Sequence, residues 1–182
     1  MISFDKRFIQ RIRIPLGFLF AILFIVFSRP TLLTILLGGA IAIVGLGIRA
    51  WASGHIRKAS VLAVSGPYGY TRNPLYLGSL IMGLGFSIAA GTWWLGLLFL
   101  ALFLGIYWPV MRIEAEDMHR IFPDSFPEYE REVPLLWPRL SVWKRTGETF
   151  DSQLYLRYRE YRAALGTLGG MLALAVKAFY LH

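Results

Sequence analysis

Residues 73–111 read NPLYLGSLIMGLGFSIAAGTWWLGLLFLALFLGIYWPVM, 39 positions without a charge. A helix crossing a bilayer takes about 20 apolar residues. The run is therefore too long for one span and right for two. Gly91 offers the break, and Trp93 and Trp94 suit a membrane–water interface. Working outward, the charges delimit three more apolar runs. Upstream, 30–48 is a credible span between Arg29 and Arg49. The run at 14–28 is short, and it crosses only if Arg13 and Arg29 snorkel to the interfaces. Downstream, Ala163 to Leu181 is interrupted only by Lys177. The expectation is an all-α integral membrane protein of about five transmembrane helices, near 14–28, 30–52, 74–90, 92–111 and 163–181. They form a single domain over 1–182, with polar segments at 53–73 and 112–162.

Composition agrees. The 182-residue chain is 56% hydrophobic, and its mean hydropathy is +0.53. That is too apolar for an ordinary soluble domain. With no cysteine there is no disulfide framework, no thiolate metal site and no cysteine nucleophile. No His/Asp/Glu cluster has metal-ligand spacing, so no metal is expected. No small-residue cleavage site follows the basic start DKRFIQRIRIP, so no cleavable signal sequence is expected. A net charge of +8 suggests nucleic acid in a soluble protein. Here the lysines and arginines fall almost wholly in 1–13, 50–74 and 112–162, which places those segments in the cytosol and argues against nucleic acid. In a bacterium the membrane would be the inner one. Glycines at 38, 39, 45 and 47, at 83 and 85, and at 166 and 170 permit close helix contacts.

Two cytosolic segments are large enough to carry chemistry. One contains GPYGYTRNPLYLG (66–78), the other RIEAEDMHRIFPDSFPEYEREVPLLWP (112–138). With His55 ahead of them, their ordered elements are Gly66 to Tyr68, Arg72-Asn73-Pro74-Leu75-Tyr76-Leu77-Gly78, the acids Glu114, Glu116 and Asp117, then Phe122, Tyr129 and Val133-Pro134. This set resembles the integral-membrane methyltransferases of the isoprenylcysteine carboxyl methyltransferase and phospholipid methyltransferase superfamily, over roughly 54–138. Asn73 stands where many members have histidine, Pro123 where glycine is usual and Phe126 where tyrosine is usual. The resemblance implies S-adenosylmethionine bound from the cytosolic side as methyl donor, and a lipid or lipidated acceptor.

The residue chemistry is compatible with that donor. Its carboxylate needs a cation, its ammonium an acid, and its adenine and sulfonium an apolar or aromatic wall. Arg72 is the only charge between Lys58 and Arg112. It is a candidate fork for the carboxylate, against the plainer role of an interface anchor. Pro74 suits the first turn of a helix, whose free amides favour an anion. Tyr68 and Tyr76 are candidate wall residues, with Asn73 beside them, while Tyr70 reads as an interfacial tyrosine. His55 is a candidate because it heads the pattern. Gly83 and Gly85 match a Gly-x-Gly that the phospholipid-methylating branch places at the cofactor, and helix packing is the competing role. For the acid, spacing back from Phe122 favours Glu114, while spacing on from Arg112-Ile113 favours Glu116. The candidate catalytic residues are thus Arg72 and Glu114. The cofactor-binding set is His55, Tyr68, Arg72, Asn73, Tyr76, Gly83, Gly85, Glu114 and Glu116. A nicotinamide-dependent membrane reductase and a non-enzymatic lipid-binding protein are the alternatives.

Overall fold

A computed structural model describes residues 6–56 and 61–180 of the chain. The N-terminal five residues lie outside it. So do Arg57 and Lys58, which neighbour His55 in the sequence, and Leu181, the last residue of the fifth expected span. The described residues form helices α1 (Lys6–Phe27), α2 (Leu32–Ser53), α3 (Pro74–Ala89), α4 (Trp93–Ile121), α5 (Phe126–Glu132), α6 (Ser152–Arg157) and α7 (Tyr161–Tyr180), with a 3-10 turn at Gly66–Gly69. Among them there is no strand.

All five expected apolar segments are helical, but they differ in reach. At 1.5 Å per residue, α2, α4 and α7 extend about 33, 44 and 30 Å, enough for a hydrocarbon core of about 30 Å. The apolar part of α1, Pro15–Phe27, and the whole of α3, Pro74–Ala89, are shorter. At about 24 Å, α3 falls short of the core thickness. The difference arises because Pro74 starts α3 late and Gly91 (φ +64°) turns the chain just after it.

The bundle turns its large apolar side chains outward. Phe18, Ile22, Leu33, Leu36, Ile43, Leu97, Leu168 and Leu172 are all exposed. Small residues face inward, as expected where lipid, not water, covers the outside. The tightest contact joins α2 to α3. A Cβ on Gly85 would stand 2.5 Å from the Gly38 carbonyl oxygen, and one on Gly45 would stand 2.6 Å from that of Gly78. The two backbones therefore touch, with Ala42 and Ala89 fully buried between them. At the N-terminal end of α2, the Thr31 and Thr34 side chains each accept from the other's amide, at 3.2 and 2.9 Å, to cap the helix. Thr34 Oγ1 also donates to Ala89 O at 3.2 Å.

At the opposite end α4 overshoots. Its last turns extend past the start of α3, and Ala115 and Met118 there form one wall of a small second core. Phe126, Tyr129 and Val133 fill that core, packed by Leu62, Val64, Phe122 and Trp143. The main bundle core is Leu77, Leu80, Phe103, Met111 and Leu136.

Candidate functional site

Between the two cores lies a cavity of about 600 Å³. The end of α2, the first turn of α3, the overhang of α4 and helix α5 line it. Tyr68, Arg72, Asn73, Tyr76 and Glu114 all stand on its wall, with Arg49, Met111, Met118, Phe122, Phe126 and Tyr129.

The motif loop is held rigidly. Gly66 adopts φ +54°, a left-handed conformation, and a Cβ there would also meet the His55 ring at 2.7 Å. His55 is buried, with Nδ1 2.9 Å from Ser65 Oγ. It braces the loop from behind and is not on the cavity wall. The two motif segments, far apart in sequence, are stitched backbone to backbone. Arg72 N donates to Pro134 O at 2.9 Å, Arg139 N to Tyr70 O at 2.9 Å, and Trp143 N to Gly69 O at 2.9 Å. Asn73 Nδ2 donates to Leu135 O at 3.0 Å, and Thr71 Oγ1 to Leu136 O at 3.0 Å. Asn73 thus serves the backbone joint as well as the cavity wall.

Three polar arrangements each have a member on the cavity wall. Tyr76 OH donates to Glu114 Oε1 at 2.9 Å, joining α3 to α4. Arg72 Nη1 is ion-paired with Glu130, whose other oxygen lies 2.6 Å from His119 Nε2. Arg49 forks onto Glu160, from the corner between α6 and α7, with contacts of 2.7 and 2.9 Å from Nη2 and 3.1 Å from Nε. Its Nη1 reaches Ser79 Oγ at 2.5 Å. Burial raises the Glu130 pKa, but hydrogen bonds from His119 and Arg72, with their charges, outweigh it and hold the carboxyl below its ordinary value.

Among the described residues three buried side-chain atoms lack a partner: Tyr68 OH and Arg72 Nε, both from residues of the cavity wall, and Thr167 Oγ1 in α7. Tyr68 is only 6% exposed. Burial pushes its phenol far up, and the neighbouring Tyr129 adds to the shift, so Tyr68 is a donor and not a base. Tyr129 is also raised by burial, and its OH donates to Tyr68 O at 2.8 Å. An unmade hydrogen bond on a buried donor costs about 1–3 kcal/mol. A ligand with acceptor oxygens would relieve Tyr68 and Arg72.

The remaining candidates sit elsewhere. Gly85 belongs to the α2–α3 contact, and Gly83 packs against the Phe99 ring. Both face helices rather than the cavity. Glu116 is not on the cavity wall, while Asp117 is, and Asp117 lies 3.8 Å from Arg120. Sequence reasoning missed Arg49, Glu130, His119 and Glu160. Arg49 reads as the boundary of a span. The acid Glu130 lies in FPEYEREV, where alternating charges look like a solvated face. Among the described residues, no group of three or more His, Cys, Asp or Glu side chains is placed to hold a metal.

The architecture is that of an all-helical membrane protein with a largely apolar cavity, set with a few polar side chains, at one end of its bundle. The family model for phospholipid methyltransferases matches residues 18–125, more than half of the chain, and the chain belongs to that family. Among curated proteins, it is 36% identical over 118 residues to the cobalt-zinc-cadmium resistance protein CzcN of Cupriavidus metallidurans, covering 63% of this chain and 53% of the relative. It is 34% identical over 116 residues to the nickel-cobalt-cadmium resistance protein NccN of Alcaligenes xylosoxydans xylosoxydans, covering 62% and 53%. The chain spans about half the length of these curated relatives. No solved structure matches it. Glu130, Tyr129 and the stitching segment after them lie beyond the family match, which stops at 125.

Proposed function

We propose that the protein transfers a methyl group from S-adenosylmethionine to a lipidic acceptor at the cytosolic face of a membrane. The observation that carries the proposal is the convergence of a partly unsatisfied arginine, a buried unpartnered phenol and a carboxylate on one cavity in a phospholipid methyltransferase family member. S-Adenosylmethionine bound there would supply an electrophilic methyl on a sulfonium. Arg72 Nε and Tyr68 OH offer hydrogens to the cofactor carboxylate. Glu114, oriented by Tyr76, offers oxygens to the ammonium. Met111, Met118, Phe122 and Phe126 give an apolar wall that excludes water. Because Tyr68 and Tyr129 hold their protons, these residues position and bind; they do not abstract protons. The acceptor would come from the leaflet into which the ends of α3 and α4 open.

The test is binding of labelled S-adenosylmethionine to the detergent-solubilised chain. Saturable binding is expected, with Glu114→Gln weakening it more than Glu116→Gln. Absence of binding by folded protein would overturn the cofactor assignment. Equal effects of the two substitutions would remove Glu114 from the ammonium site and leave the cofactor standing.

A further inference from the structure

The segment Val133–Trp143 has no regular secondary structure, yet it reaches the level of the apolar helices. Leu136 is buried among Leu77 and Leu80 of α3 and Phe103 and Met111 of α4. Irregular backbone at that level is tolerated only where its polar groups are paired. Here the carbonyls of Pro134, Leu135 and Leu136 accept from Arg72 N, Asn73 Nδ2 and Thr71 Oγ1. Immediately beyond this inserted wedge, Trp137 is 67% exposed and Leu140 is 103% exposed. Between Val133 and Thr146 there is no acid, and there are three bases, Arg139, Lys144 and Arg145. Lys144 Nζ stands 4.1 Å over the Trp143 ring and 3.2 Å from Glu128, so the net positive charge of the segment is moderated on that side and open at Arg145.

We infer that this segment is an interfacial anchor: Trp137 and Leu140 seat in the headgroup region of the bilayer, and Arg139, Lys144 and Arg145 select anionic lipid there. Two observations combine. The wedge at Leu136 fixes the height of the segment at the cytosolic edge of α3 and α4, continuous with their lipid-facing surface. The composition, exposed Trp and Leu ringed by bases without acids, is complementary to an apolar layer under negative headgroups. The same backbone holds Arg72 and Asn73, so the anchor ties the cavity to the leaflet. The inference rests on the helices lying in a bilayer and not on the methyl-transfer proposal.

The chain has no cysteine, so Leu140→Cys gives a unique attachment point for a fluorophore. Gly147→Cys is the control, with open space around it. The full chain is placed, one copy per disc, in lipid nanodiscs of phosphatidylcholine with or without phosphatidylglycerol. The label at 140 should be quenched by nitroxides carried near the lipid headgroup and shielded from aqueous iodide, while the label at 147 shows the reverse. A nitroxide on phosphatidylglycerol should quench more than the same nitroxide on phosphatidylcholine. That excess should fall with added salt and, in Lys144→Gln/Arg145→Gln, by up to about five-fold per charge removed. Iodide reaching position 140 as freely as 147 overturns the anchor. Shielding absent at one copy per disc and present in a parallel preparation with two copies per disc overturns the anchor and assigns the surface to self-association. Equal quenching by both lipids overturns the anionic selectivity.

Discussion

Arg72 shows how much of the site a single residue makes legible and how much it hides. Its isolation in the sequence, the one charge between Lys58 and Arg112, marks it at once. Its partner Glu130, 58 positions away, does not stand out, because nothing local distinguishes it from Glu128 or Glu132. The pair also revises what Arg72 offers. One terminal nitrogen is engaged by Glu130, and the buried donor left over is Nε. Lysine would keep a charge for Glu130 and lose that donor. Arg72→Lys is therefore expected to weaken S-adenosylmethionine binding by about 2–5 kcal/mol in titration calorimetry, nearly as much as Arg72→Ala. Unchanged affinity in both variants would leave Arg72 a structural tie between Glu130 and the backbone of Pro134. Glu130 carries its own expectation. Its pKa is lowered in the folded protein, so its contribution to stability is complete above the ordinary carboxylate value of 4.5 and is lost as pH falls through the lower folded value. Thermal unfolding of Glu130→Gln should show lower stability at neutral pH and a smaller loss on acidification than the parent. Parallel curves for the two proteins would contradict this.

At the scale of elements, the apolar runs and their breaks were readable because charge and glycine are local signals. The helix break at Gly91 and the proline start of α3 both occur where the residues place them. What two glycines do inside a helix was not readable, since a Gly-x-Gly serves a neighbouring backbone or a ligand equally well in sequence. The packing decides for Gly85, whose missing side chain leaves room for the Gly38 carbonyl and for Ala42. Gly85→Ala should destabilise the solubilised protein by about 1–3 kcal/mol, read as a lower unfolding midpoint, because neither facing backbone can yield. Gly39→Ala, with nothing within 4 Å, is the matched control and should leave the midpoint unchanged or raise it. Equal midpoints for both variants would mean that α2 and α3 are not in backbone contact. The joint between 66–73 and 134–143 was equally hidden, since it is made by main-chain groups that no side-chain pattern announces.

For the whole molecule, the charge distribution sets the expected orientation: N-terminus and the α4–α7 connection on the cytosolic side, the turn at Gly91 outside. A cysteine at Thr146 should be shielded from an impermeant thiol reagent in intact cells, and one replacing the exposed Trp93 should be labelled. The opposite pattern would invert the molecule and move the cavity to the other face. Helix α4 runs for about 44 Å through Pro109, and its overhang carries Glu114 beyond its apolar half. In a bilayer the height of that carboxylate above the hydrocarbon would follow the thickness of the host membrane, with Pro109 as the place where the helix can bend. A thin membrane would lift Glu114 into water, and a thick one would submerge it or force the helix to tilt or bend, at fractions of a kcal/mol per ångström of mismatch. Acyl length in the surrounding lipids would thus tune this site mechanically, whether or not those lipids ever enter it.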